Sequence, residues 1–397
     1  MAAPDIARLR QLRDTVAVVG VGETDYRADY RTGARGNVVE KGAGGRDPYL
    51  LGMTALRRAL DDAGIAKDDI DGLWVSGHLT ESGACLAYGI DPNWTASGDA
   101  ARGIAQATMA IASGLCTTVA LVYSTAQRSF DVQYGGPKGE RRIDQLEAPW
   151  GMTSLGAYYA QMFQRHADVY STTEEQLGAI AVAFRRHASM NEQAIMRQPL
   201  TIEDYLNTRY IAAPLRLPDY SLINDAAVAI IVQRADIAQD ARHAPVSVSG
   251  FAWNEMNSNE PGRVPAQAEF WAPSTEVVRE TVYGMSGLGP ADVDLYGTYD
   301  SFSIHLLFSL EGFGFCAPGD SGAFVQGGRI EIGGELPTNT SGGMLSESAT
   351  QGWTQHVELV RQLRGGLNDR QVEGAEVAQY AHNLLGKCLS VIYTKRT

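Results

Sequence analysis

Asn339-Thr340-Ser341-Gly342-Gly343-Met344-Leu345-Ser346-Glu347-Ser348-Ala349-Thr350-Gln351-Gly352 is the stretch whose reading decides the fold of this 397-residue chain. Adjacent glycines, a run of hydroxyl side chains and a closing glycine are the composition of a loop that needs positive φ or close backbone approach. A helical pattern over Gln355 to Leu363 follows it. Outward from this loop, short apolar runs alternate with helical spacings, as in an α/β protein.

Val16-Ala17-Val18-Val19-Gly20-Val21-Gly22 is a continuous apolar run that predicts a strand buried on both faces. Tyr26 to Arg46, rich in glycine and charge, reads as a loop. Leu50 to Ala63 then carries apolar residues at helical spacing and is closed by Gly64. Asp68 to Gly77 reads as turn and strand. Ala100 to Ser113 predicts a small-residue helix buried between layers, with a β-branched strand after it at Thr117 to Tyr123. From about Thr125 to Arg216 the composition shifts to Tyr, Met, Gln and Arg, with helices expected at Gly156 to Asp168, Thr173 to Asn191 and Ile202 to Asn207. Asp225 to Val232 resumes a buried strand, and Ala235 to Pro245 reads as a linker.

The second half repeats this order. Val246 to Gly250 is expected as strand, Ser274 to Gly284 as helix, Pro290 to Tyr299 as turn and strand, Ile304 to Gly312 as helix and Cys388 to Tyr393 as the last strand. Asp68-Asp69-Ile70-Asp71-Gly72-Leu73 and Ala291-Asp292-Val293-Asp294-Leu295-Tyr296 match in character, each a few residues after a helix. That match points to an internal duplication.

Composition narrows the function classes. With a hydrophobic fraction of 44%, a charged fraction of 20% and 43 glycines, the chain is neither disordered nor fibrous. Cores stop growing at roughly 250 to 300 residues, so two to three units are expected. Formal net charge is −13 with no basic cluster interleaved with aromatics, which leaves a nucleic-acid role without electrostatic support. An anionic cofactor would have to be met by a local basic patch or by a partner. Cys85, Cys116, Cys316 and Cys388 form no Cys-x-x-Cys pair, against a zinc site or a secreted disulfide framework, so a cytoplasmic setting is expected. The first fifteen residues hold no apolar run of signal-peptide length, and no segment approaches the ~20 apolar residues of a membrane span.

Three features resemble the thiolase superfamily, in its branch of thiolase-like lipid-transfer proteins and steroid side-chain aldolases. They are the opening Val16 to Thr24, Pro214-Leu215-Arg216 with Asn224-Asp225-Ala226-Ala227, and the Asn339 to Gly352 loop followed by Arg361-Gln362-Leu363-Arg364-Gly365. The resemblance spans nearly the whole chain. It implies an α/β thiolase fold, two duplicated βαβαβαββ halves in a five-layered αβαβα arrangement with an inserted helical loop domain. The implied division is an N-terminal extension 1–15, a first half 16–125, the insertion 126–216, completion of the first half 217–240, and a second half 241–397.

Where the chain departs from thiolases, it loses their chemistry. The thiolase loop runs Asn-x-x-Gly-Gly, four residues, then Gly-His-Pro-x-Gly; here Ser348-Ala349-Thr350 stands where Gly-His-Pro would be. A thiolase nucleophile is a cysteine at the start of the buried first-half helix, where the dipole and backbone amides lower its pKa. The turn here reads Asn93-Trp94-Thr95-Ala96-Ser97-Gly98-Asp99-Ala100, with the matching position between Thr95 and Ser97. Cys85 lies about ten residues early and reads as a packed small hydrophobe. The second thiolase cysteine segment is replaced by Tyr380-Ala381-His382-Asn383-Leu384-Leu385-Gly386.

In place of the thiolase Asn-Glu-x-Phe turn stands Tyr299-Asp300-Ser301-Phe302, which resembles the aldolases, where that tyrosine is proposed as an acid/base group. A phenol can exchange a proton with a substrate hydroxyl when a polar neighbour lowers its pKa. The aldolases commonly carry a second tyrosine at the position of Ala349, so Ser348, Thr350, Gln351 or His382 would have to compensate. Tyr299, His382 and Asp300 are the candidate catalytic residues. Ser97, Gly342, Gly343 and Ser348 are candidates for substrate binding, and no metal is expected. His305 and His356 read as packing or surface residues, and His78, His166, His187 and His243 have no supporting constellation. Asp99 reads as a helix cap or a substrate contact.

The leading functional reading is a retro-aldol lyase acting on a β-hydroxyacyl-CoA of a steroid side chain or similar bulky acid, giving a ketone or aldehyde plus acetyl-CoA or propionyl-CoA. Alternatives are a β-ketoacyl-CoA thiolase or acyltransferase using Cys85, and a non-catalytic lipid-binding subunit. The expected company is a CoA thioester as substrate, with no cofactor held by the chain itself. The resemblance also implies a homodimer and a small partner with a zinc-ribbon and oligonucleotide-fold module, together a heterotetramer.

Overall fold

The computed structural model describes residues 4–32, 46–132, 148–255, 272–384 and 387–395. Its strands are β1 (Val16–Glu23), β2 (Gly72–Gly77), β3 (Trp94–Ser97), β4 (Thr118–Ala126), a short hairpin β5 (Tyr210–Ala212) and β6 (Leu215–Arg216), β7 (Asp225–Arg234), β8 (Val246–Glu255), β9 (Leu295–Thr298), β10 (Val377–Leu384) and β11 (Lys387–Lys395). All but the short hairpin join in the order β3-β2-β4-β7-β1-β8-β11-β10-β9; the run β3 to β1 (the first sheet) and the run β8 to β9 (the second sheet) meet in a two-residue pairing of β1 with β8.

The pairing repeats. In the first half β2 runs parallel to β4, while β4–β7 and β1–β7 are antiparallel. In the second half β9 runs parallel to β10, while β10–β11 and β11–β8 are antiparallel. The counterpart of β3 is the parallel bridge between Tyr296 and Thr338. Local packing repeats with it: Gly20 in β1 lies against Ala59 and Ala63 of the helix Pro48–Ala63, and Gly250 in β8 lies against Val282 and Ser286 of the helix Ala272–Ser286. A side chain at either glycine would push strand and helix apart, so the same small residue recurs at the same step.

Three apolar cores separate the layers. The outer face of the first sheet packs on the helices Pro48–Ala63 and Glu81–Tyr88, through Leu51, Leu56, Ala84 and Tyr88. Between the sheets lie the helices Ala100–Ala112 and Trp353–Arg364. There the Trp353 ring centroid stands 5.7 Å from Trp74 and 6.0 Å from Tyr123. The outer face of the second sheet packs on Ala272–Ser286 and Ile304–Phe313, giving the αβαβα order. That third core also takes in Tyr159, Phe163, Leu177 and Phe184 from the helices Leu155–Tyr170 and Glu174–Met190 of the inserted stretch, which therefore pack on the second half of the same chain.

Some local expectations change. Tyr26–Thr32 is helical rather than loop, because Tyr26 is buried and its hydroxyl donates to Glu23 at 2.5 Å. The remainder of that expected loop, residues 33–45, lies outside the described residues, as do 133–147 of the insertion. The turn Asn93 to Ala100 contains a strand, β3, in register with β2 from Gly72↔Trp94 to Val75↔Ser97. The linker Ala235 to Pro245 contains a 3-10 turn at Ala238–Asp240, with Ala238 buried in the first outer core.

Candidate active site

Tyr299 and His382 sit side by side because their strands do. Thr298, the last residue of β9, pairs with Ala381 of β10, and the Tyr299 N–H donates to the Ala381 carbonyl at 2.9 Å. The two rings stack face to face, 4.0 Å between centroids and 3° between planes. His305 lies on the same phenol ring at 5.6 Å and 19°. His382 is buried, and among the described residues its Nε2 has no hydrogen-bond partner. Burial, with Lys387 and Arg102 nearby and Asp99 opposing them, brings its pKa down to about 3. At working pH the ring is therefore neutral, the proton-accepting form.

Asp300 points the other way along the chain and grips the Asn339 to Gly352 loop. Its Oδ1 accepts the Met344 N–H at 2.9 Å and Gln355 Nε2 at 2.6 Å, and its Oδ2 accepts the Leu345 N–H at 3.2 Å. Burial pushes the carboxyl up to about 7 against those donors. Gly343 stands at φ +60°, and a Cβ there would overlap Asp300 Oδ2. Gly342, at φ +110°, would meet the Ala188 side chain at 2.6 Å. The glycine pair is thus required by a carboxylate on one side and an inserted helix on the other. The Gly342 N–H already donates to the Asn339 carbonyl at 2.9 Å.

Ser348 is buried, its Oγ accepting Asn224 Nδ2 at 2.9 Å, while the Ala349 N–H donates to Asn224 Oδ1 at 2.8 Å. One side chain from the Asn224-Asp225 motif therefore holds both residues that replace the thiolase Gly-His. Ser97 is not brought to this place. It is exposed on the outer side of the edge strand β3 and donates to Glu81 at 2.9 Å, whereas Trp94 and Ala96 face the inter-sheet core. Its expected substrate contact is corrected to an outer-face bond with the Glu81–Tyr88 helix.

Three of the four thiols lie in or against the outer cores, and Cys116 is buried in the core between the sheets. Cys85 belongs to the Glu81–Tyr88 helix on the outer face of the first sheet, where burial and the nearby Asp91 raise its pKa. Cys388, on β11, is buried in the core on the far face of the second sheet from His382, and Cys316 packs against that same core. Burial raises Cys116 to about 11 and Cys316 to about 12. No thiolate is favoured at any of the four.

Several further residues belong to this neighbourhood, Asp99 among them as the helix cap that the sequence offered. Asp99 caps the helix Ala100–Ala112 through the Arg102 N–H at 3.2 Å and takes Lys387 Nζ at 2.7 Å. His356, expected as packing or surface, is fully buried; its Nδ1 lies 2.7 Å from the Tyr393 hydroxyl and its ring 3.9 Å from that of Tyr380. Burial takes both His305 and His356 down to about 3. His187 has a constellation after all: its Nδ1 lies 3.2 Å from the Asn339 carbonyl and its Nε2 accepts the Ile332 N–H at 3.2 Å, with its pKa lowered by burial to about 4. With Arg185 donating to Ser346 and Asn191 to both Ser341 and Glu347, the inserted helix Glu174–Met190 clasps the loop from outside. Among the described residues no group of three or more His, Cys, Asp or Glu is arranged to hold a metal ion, and no helix is long and apolar enough to cross a membrane.

A family model described as "Thiolase C-terminal domain-like" matches residues 264–391. The 17-hydroxy-3-oxo-4-pregnene-20-carboxyl-CoA lyase of Mycobacterium tuberculosis is 32% identical over 384 residues, 89% of this chain and 92% of its own. The acetyl-CoA acetyltransferase of Methanothermobacter thermautotrophicus is 32% identical as well, over 94% of this chain and 97% of its own. A solved structure described as "Ltp2-ChsH2(DUF35) aldolase" superposes with a TM-score of 0.85 at 27% identity, covering 97% of this chain and 98% of that one. The chain belongs to the thiolase superfamily, in its branch of thiolase-like lipid-transfer proteins and aldolases. Identity to the lyase and to the acetyltransferase is equal, so the chemistry has to be chosen from the site.

Proposed function

We propose that this chain is a carbon–carbon lyase that cleaves a β-hydroxyacyl-CoA by a retro-aldol reaction, releasing a ketone or aldehyde and acetyl-CoA or propionyl-CoA. The observation that carries the reading is the face-to-face Tyr299–His382 pair, with the thiols of Cys85, Cys316 and Cys388 held in or against the outer cores. Acyl transfer needs a thiolate at the site; retro-aldol cleavage needs a base and a donor. Neutral His382 accepts the β-hydroxyl proton, directly or through the Tyr299 phenol. The Cα–Cβ bond breaks, its electron pair passes into the thioester as an enolate, and the same proton returns to Cα. The Ser348 hydroxyl, which accepts from Asn224 and keeps its own proton to donate, is the assigned partner of the enolate oxygen.

The substrate class, a steroid side-chain or similarly bulky acyl-CoA, rests on the lyase relative. A homodimer, a small zinc-ribbon and oligonucleotide-fold partner that helps hold CoA, and a cytoplasmic setting belong to the same proposal. The aldolase structure, whose description joins Ltp2 to ChsH2(DUF35), supports the partner. CoA enters as part of the substrate, not as a resident cofactor.

The test is mass analysis of products formed from β-hydroxyacyl-CoA and β-ketoacyl-CoA substrates by the chain co-expressed with that partner. Cleavage without free CoA, lost in Tyr299→Phe and kept in Cys85→Ala, is expected. Product that requires free CoA, disappears in Cys85→Ala and persists in Tyr299→Phe would make the chain an acyltransferase. Silence with every CoA substrate, partner binding intact, would make it a non-catalytic subunit.

A further inference from the structure

We propose that Asp99 is a positioning residue for His382, its carboxylate compensating the positive charge that the imidazole acquires when it takes the substrate proton. The inference rests on the lyase reading above and adds a group that the reaction scheme does not contain.

The register of the β10–β11 hairpin puts the parts together. His382 pairs with Leu389 and Leu384 pairs with Lys387, so the side chains of His382 and Lys387 leave the hairpin on one face, a cross-strand step apart. Lys387 also pairs with Glu255 of β8, which puts Glu255 on that face too. From the first half, Asp99 bonds Lys387 at 2.7 Å and Arg102 bonds Glu255. The four charges alternate in sign and tie the start of the central helix Ala100–Ala112 to the second sheet. His382 opens onto this ring with a buried Nε2 that no described residue occupies.

Among the described residues the other carboxylate on this face, Glu255, is taken by Arg102, and the remaining titratable groups around His382 are neutral or positive. Tyr299 and His305 form the ring stack, His356 lies in the same layer, and Lys387 and Arg102 both disfavour a cation there. Asp99 is the carboxylate that acts on the imidazole in the opposite sense. A third cation beside Lys387 and Arg102 would be costly in a buried layer, and an adjacent carboxylate is the remedy such a base requires.

Asparagine caps a helix as well as aspartate does, so Asp99→Asn removes the charge and leaves the cap. Steady-state cleavage of a β-hydroxyacyl-CoA is compared for the wild type, Asp99→Asn, Lys387→Met and the double variant, each full-length with its partner, alongside melting curves. In Asp99→Asn, kcat falls about tenfold or more with KM within about twofold. Lys387→Met, which removes a cation from the same imidazole, loses less or gains, and the double variant lies closer to wild type than Asp99→Asn does. Wild-type kcat in Asp99→Asn, or equal losses in both single variants that track their melting temperatures, overturns the proposal and leaves a simple tie between halves. A wild type that cannot cleave the substrate removes the lyase reading and the proposal together.

Discussion

Asp300→Asn separates what the buried carboxylate does for the loop from what its charge costs the fold. Two effects of opposite sign meet at this side chain. The amide keeps one acceptor oxygen, which serves Met344 and Gln355, but turns an NH2 toward the Leu345 N–H that now donates to Oδ2. Losing that bond and setting donor against donor costs about 1–3 kcal/mol. The wild type carries a different burden. Its carboxyl titrates at about 7 when folded and near 4 when unfolded, so the folded state holds the extra proton between those values. Stability from this group is fully present at low pH and is lost as pH rises toward 7, at about 1.4 kcal/mol per unit. The variant has no such loss. Its deficit against wild type should therefore shrink by about 3 kcal/mol between pH 5 and pH 8, and above pH 7 it should stand level with wild type or exceed it. Denaturant unfolding at the two pH values reads this directly. A deficit that is the same at both would refute the reasoning, because Asp300 would then not be the group that titrates. The lyase activity should fall at both values, since the contact between the Tyr299 strand and the loop is weakened.

The other predictions are more local. Gly343→Ala puts a Cβ into Asp300 at a φ of +60° and should destabilise by at least about 3 kcal/mol; an unchanged denaturation midpoint would show that the loop can shift. Arg370→Met leaves Glu358 buried without its partner at 2.6 Å and should cost about 3–5 kcal/mol, checked by the same unfolding curves. Four buried histidines, His187, His305, His356 and His382, have lowered pKa values of about 3 to 4 and take up protons on unfolding in acid. Asp219, Asp300 and Glu347, raised to about 6, 7 and 8, release protons on unfolding as pH rises. Stability should therefore peak at about pH 6.5 and fall on both sides; a maximum above pH 8 in a pH series of unfolding free energies would contradict these burial assignments.

The fold was legible because both repeated signals are local. Apolar runs at Val16 to Gly22 and Asp225 to Val232, and helices with closing glycines such as Gly64, lie where the spacing puts them. The short helix at Tyr26 escaped because its cause is tertiary: a buried tyrosine bonded to Glu23, which also pairs with Arg361 from the second half. The same pairing gives the opening and closing motifs a physical meaning, since Glu23 and Arg361 join the two halves across 338 residues of chain. Within the site, Tyr299 and His382 were readable only through family position, because the strand pairing that stacks them is not written in either segment alone. Lys387 is an ordinary polar residue in the sequence, and Asp99 and Asn224, legible there as a helix cap or substrate contact and as part of a motif, need the fold before their charge and amide face anything.

The loop at Asn339 to Gly352 shows why Ala349 can stand where other members of the fold place a working side chain. A histidine or tyrosine there would have to be aimed by its own rotamer, whereas here what is fixed is the backbone. Asn224 holds the Ser348 hydroxyl and the Ala349 N–H with its two amide atoms, and Asp300 holds the amides of Met344 and Leu345. The helix Glu174–Met190 presses Ala188 against Gly342, while Asn191 reaches Ser341 and Glu347. With the loop gripped from three sides, Ala349 itself is buried, and on the lyase reading acid–base work falls to groups on the neighbouring strands. His382 lies on β10, next to β9, and Tyr299 directly follows β9, tied to β10 by its N–H bond to the Ala381 carbonyl. On the lyase reading proposed above, Ala349 and His382 go together: the base sits on the sheet, and the loop is held as a rigid backbone beside it.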